Sequence, residues 1–117
     1  MPASLGFVKM DSSILQATRS SALASFRGLS TDERSHLRRW QAAARGAGID
    51  GIEDLASRPW PYPVKGVVIG VFGQGSEAAQ WLVIGQHGSW AVADCADGSV
   101  SPSFTSLQAA LATIYQA

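Results

Sequence analysis

Apolar positions change their spacing once along this chain, and the change divides it into a helical half and a strand-rich half. Ile14, Leu15, Thr18, Ala22 and Phe26 fall near helical spacing within a Ser- and Ala-rich segment from about Asp11 to Arg27, which predicts a first helix. Ser30-Thr31-Asp32-Glu33 then has the form of a capping box, in which a Ser hydroxyl accepts from a free amide while the Glu three residues on reaches back to the cap. A second helix is predicted from there to Gly46 or Gly48. Leu37, Trp40, Ala44 and Ala47 form its apolar stripe, and Arg34, Arg38 and Arg45 project from other faces. Asp50 followed by Glu53 repeats the cap signal and predicts a short third helical piece carrying Ile52 and Leu55.

Between Arg58 and Pro63 the residues Pro59, Pro61 and Pro63 alternate with Trp60 and Tyr62. Proline has no backbone donor and disfavours helix in the residue before it, so an extended connector is expected here. Beyond it, Val64 to Phe72, Gln80 to Gly85 and Ser89 to Cys95 are rich in β-branched and aromatic residues and predict three strands. His87-Gly88 and Asp97-Gly98 sit where tight turns would join them, glycine supplying the positive φ. Val100 to Phe104 predicts a fourth, shorter strand. Thr105 with Gln108 offers a cap for a last helix over Ser106 to Tyr115, whose Leu107, Leu111 and Ile114 would lie on the sheet. The expected architecture is α+β: N-terminal helices over residues 1–58, the connector at 59–63, and a three- or four-stranded antiparallel meander with a C-terminal helix over 64–117. Trp81 and Val83 should share one face of their strand and Leu82 and Ile84 the other, so both faces should be covered.

The composition narrows the function classes. With 117 residues the chain has room for one domain, and 46% apolar against 15% charged residues is a folding composition. Lys+Arg and Asp+Glu balance at nine each, which argues against nucleic acid as a partner, because affinity for phosphates needs an excess of basic residues. The single cysteine, Cys95, has no second cysteine to pair with and suits a reducing cytoplasm. No apolar run reaches the roughly 18 residues of a membrane span, and the N-terminus lacks the order of a secretory signal. No membrane association and a cytoplasmic location are therefore expected.

Candidate chemistry is sparse. Gly66, Gly70, Gly73 and Gly75 match neither a dinucleotide fingerprint nor a P-loop, and a strand connection accounts for them. His87, Asp94 and Cys95 could be drawn as base, orienter and nucleophile, but Asp94 and Cys95 are chain neighbours on a strand and should point apart. Asp94, Asp97 and Ser99 could face a hard cation, yet they read better as turn chemistry. Neither a metal nor a cofactor is implied. The arginines after Ser30 and the four tryptophans fit protein recognition better, since Trp and Arg dominate binding hot spots. Arg34, Arg38 and Arg45, with Trp60 and Trp90 as partly exposed aromatics, are the expected contact residues, whereas Trp40 and Trp81 are expected in the core.

The run from Trp81 to Ile114, WLVIGQHGSWAVADCADGSVSPSFTSLQAALATI, resembles the closing half of SMI1/KNR4-like (SUKH) immunity proteins, with a glycine-bearing hairpin, a strand ending in Asp, a DG turn and a short Phe-led helix. This resemblance covers about a third of the chain and implies a non-enzymatic inhibitor that occludes a cognate toxin or effector. Two other classes remain open. One is a small enzyme or ligand sensor with a pocket between the sheet and the N-terminal helices, in which His87 would take part. The other is a homodimer through strand edges and aromatics.

Overall fold

The computed structural model describes residues 26, 28–56 and 66–116. The connector with Trp60, and all of the helix expected over 11–27 except Phe26, lie outside the described residues.

Helix α1, Thr31–Ala44, begins where the capping box places it. Ser30 Oγ accepts from Glu33 N at 3.1 Å, and Glu33 Oε1 accepts from Ser30 N at 2.9 Å, so two otherwise orphaned donors are satisfied together. A 3-10 turn over Arg45–Ala47 follows and ends at Gly48, whose φ of 89° turns the chain back towards the sheet. Leu37, Trp40 and Ala44 are the buried face of α1, whereas Ala47, expected on the same stripe, is exposed in the 3-10 turn.

The sheet is a four-stranded antiparallel meander in the order β1-β2-β3-β4, formed by Ile49–Asp54, Val67–Gly73, Trp81–Gln86 and Ser89–Asp94. The expected strand, hairpin, strand sequence over the second half is what the chain adopts. His87 and Gly88, with φ of 53° and 78°, form the two-residue β3–β4 turn, the handedness that matches the twist of the flanking strands.

Two expectations about the sheet are corrected. The predicted third helical piece is strand β1, which carries a bulge between Ile49 and Gly51. An extra residue there lets Ile49 and Ile52 both contribute to the cluster under α1, whereas Ile52 and Leu55, whose spacing suggested a helix, join opposite clusters. Pairing with β2 satisfies the backbone of this segment and overrides its local cap signal. Conversely, Val100–Phe104 is not a regular strand. It touches the outer edge of β4 through two isolated bridges, Ala93↔Val100 and Trp90↔Phe104. Pro102 has no amide to give, and Ser101 Oγ, 2.9 Å from Val92 N, accepts the bond a ladder carbonyl would take. The edge of β4 is nevertheless closed.

Helix α2, Leu107–Ala112, is capped by Ser106, whose Oγ accepts from Ala109 N at 3.1 Å. It is shorter than expected because Thr113 folds its hydroxyl back onto the Ala110 carbonyl at 2.7 Å. Leu107, Ala110 and Leu111 are buried against the sheet.

Side-chain alternation divides the core in two. On one face Ile69, Val71, Val83, Trp90 and Val92 meet Leu37 and Trp40 of α1 and Leu107 and Leu111 of α2. The other face carries a second cluster of Leu55, Val68, Phe72, Leu82, Ala93 and Val100, with Ile84 packed against it. Trp81 and Val83 lie with the first cluster and Leu82 and Ile84 with the second, as the alternation predicts. Trp40 Nε1–H donates to the Tyr115 carbonyl at 2.8 Å and ties α1 to the end of the chain. Among the described residues no helix is long and apolar enough to cross a membrane.

Candidate functional site

The expected arginines occupy one flank of α1. At about 100° per residue, Arg34, Arg45 and Arg38 lie roughly 60°, 80° and 100° around the axis from Leu37, while Arg39 points roughly another 100° away. A single stripe, set beside the buried face, therefore gathers three cations. Arg38 and Arg45 are exposed, and no ion pair joins either to a described residue. Arg34 is half-buried, its Nη1 making a long 3.5 Å contact with the Phe26 carbonyl. The acidic residues of the first turn, Asp32 and Glu33, fall outside this stripe, and Asp50 lies beside its Arg45 end.

Trp90 corrects another expectation. It is 7% exposed and packs in the core cluster, where partial exposure was expected. The register places it opposite Gly85, and the six-membered edge of its ring fills the space where a Gly85 side chain would stand. Its indole Nε1–H has no acceptor among the described residues, unlike that of Trp40. Trp40 is buried as expected, and Trp81 is half-buried against the same cluster.

Beside that ring lies a cleft of about 300 Å³ between the start of α1 and the β3–β4 turn. Glu33, Val67, Gln86, His87 and Trp90 line it, together with backbone at four glycines. Two of the glycines cannot be otherwise: Gly66, at φ 84°, would aim a side chain into the Gly85 carbonyl, and Gly88 has a φ of 78°. No periodicity could reveal this site, because residues 28, 66, 85 and 88 are brought together only by the hairpin's packing under the helix.

His87, Asp94 and Cys95 are not assembled into a site. His87 is exposed at one end of β4, and Cys95 follows its other end, so the run of strand between them spans about 20 Å. Asp94 Oδ1 instead accepts from Ala96 N at 2.8 Å. Asp97 Oδ1 accepts from both Ser99 N and Ser99 Oγ, at 2.8 and 2.7 Å, which is the turn chemistry expected of it. Among the described residues no group of three or more His, Cys, Asp or Glu could hold a metal ion.

Cys95 is half-buried, and burial, reinforced by the Asp94 carboxylate, pushes its thiol up to about 11 from 9.0. The thiolate is the reactive form, so the native thiol should alkylate about a hundred times more slowly than in the unfolded chain. Iodoacetamide labelling followed by mass spectrometry at pH 8, with and without denaturing urea, checks this. Equal rates would show that burial does not protect Cys95, and a faster native rate that the thiol is activated.

No family model, curated protein or solved structure matches this chain.

Proposed function

We propose that the chain is a non-enzymatic protein-binding module that recognises an acidic surface of a cognate protein through the arginine flank of α1. The observation that carries this reading is the convergence of Arg34, Arg38 and Arg45 on one flank of a helix whose adjoining face is locked into the core. A rigid backbone presenting several guanidinium groups loses little freedom on binding, and Arg forms bidentate bonds with carboxylates. The resemblance of residues 81–114 to SUKH immunity proteins supports the same class, with a toxin as the partner and occlusion as the mode of inhibition. No catalytic group is needed for it.

Arg38→Glu and Arg39→Glu make a matched pair, since both alter an exposed arginine by the same charge one residue apart. A partner captured by the wild type should bind Arg38→Glu at least tenfold more weakly, about 1.4 kcal/mol, and Arg39→Glu nearly as well as the wild type. Calorimetric titration of the purified pair measures both. Equal losses in the two variants would mean that net charge, not this flank, drives binding, and turnover of a substrate by the purified chain would overturn the non-enzymatic reading.

The cleft favours a second reading, a ligand sensor. Glu33, Gln86 and His87 bring polar groups to a concavity with an apolar wall, at the small end of the range for ligand sites.

A further inference from the structure

We propose that the cleft beside the β3–β4 turn binds the head group of an organic cation, a guanidinium or a substituted ammonium, between the Glu33 carboxylate and the Trp90 ring. This inference rests on the second reading above and names its ligand class.

Three observations converge on it. Glu33 lines the cleft and is held in place, because its Oε1 accepts from Ser30 N at 2.9 Å. Trp90 is equally fixed, pinned over Gly85 and 7% exposed, and it is one of the residues that line the cleft. A carboxylate and an indole on one small cavity are the pair that recognises cations, the first by charge and hydrogen bonding, the second by its quadrupole. Finally, among the described lining residues there is no lysine or arginine to neutralise Glu33 from within. About 300 Å³ admits such a head group and a short stem, and Gln86 adds an amide at the rim. The same head group can belong to a free amine or to a basic side chain of a protein partner.

The test is an NMR titration at pH 8 that follows the Gly66 and Gly88 amides and the Trp90 indole. N-acetylarginine amide and tetramethylammonium serve as cations, N-acetylglutamine amide as the neutral match and inorganic phosphate as the anion. Phosphate matters because Arg27 and Lys65 are chain neighbours of two lining glycines. Saturable shifts with both cations are expected, weakened about tenfold in Glu33→Gln. That variant can keep the capping box, because Gln serves there as well as Glu, so an unchanged melting temperature separates lost charge from lost fold. An arginine-bearing peptide that binds much more tightly than the amide would identify a protein side chain as the source of the cation, and equal affinity a free amine. Saturation by the glutamine derivative or by phosphate in preference to the cations, or an unchanged Glu33→Gln, would overturn the cation assignment while keeping a ligand cleft. Shifts with none of the probes would remove both.

Discussion

Phe72→Ala is expected to lower unfolding stability by about 3–5 kcal/mol, the cost of removing a buried aromatic ring and leaving most of its volume empty. Phe72 is 0% exposed, sits in the central strand β2 and packs in the cluster with Leu55, Val68, Leu82 and Ala93. The cavity cannot easily collapse. β2 is paired on both sides, by β1 and by β3, so its backbone has no room to sink into the vacated space. A domain of this size has only about 5–15 kcal/mol to lose. Urea denaturation of Phe72→Ala and Phe72→Leu reads the effect, with the leucine variant expected to retain most of the stability. A loss below about 1 kcal/mol in the alanine variant would mean that this face of the sheet is not packed as a core and would reopen it as a binding face.

What could be read from the sequence was local chemistry, and what could not was register. The Ser30–Glu33 box and the stripe of Leu37, Trp40 and Ala44 identify α1 because a cap and a helical face are both decided within a few residues. His87-Gly88 marks its hairpin for the same reason. Strand β1 is hidden behind the cap signal of Asp50 and Glu53 and the helical spacing of Ile52 and Leu55, and only the pairing with β2 shows that those two apolar residues join opposite clusters. Trp90 was misjudged through the same gap. Its burial depends on a glycine five residues earlier lying directly across the hairpin, a fact of register and not of composition. The arginines of the proposed contact surface were legible as residues, and their gathering on one flank follows from helix geometry once the helix is fixed. A pocket between sheet and helices that involves His87 is an alternative the sequence leaves open, but the wall of the cleft is not legible there, since it is backbone left bare by glycines from three separate segments.

Gly85→Ala tests that register directly and should cost about 2–3 kcal/mol although it adds one methyl group. The new Cβ would stand 2.5–2.7 Å from three carbons of the Trp90 ring, well inside contact distance. An indole is rigid, and this one is buried in the cluster under α1, so it has no flexible end to give way. Either the ring leaves its rotamer or β3 and β4 separate at the pair Gly85↔Trp90, and both lose core packing. Removing the ring should remove the penalty. In a Trp90→Leu background, itself destabilised, alanine at 85 should be nearly neutral or favourable, because glycine is a poor strand residue. The double-mutant cycle is then expected to show a coupling of about 2 kcal/mol, large for two side chains and typical of groups in direct contact. Additivity would place the ring elsewhere and dissolve the aromatic wall of the cleft with it. Coupling, together with weaker cation binding in Gly85→Ala, would tie the packing of the hairpin to what the cleft can hold.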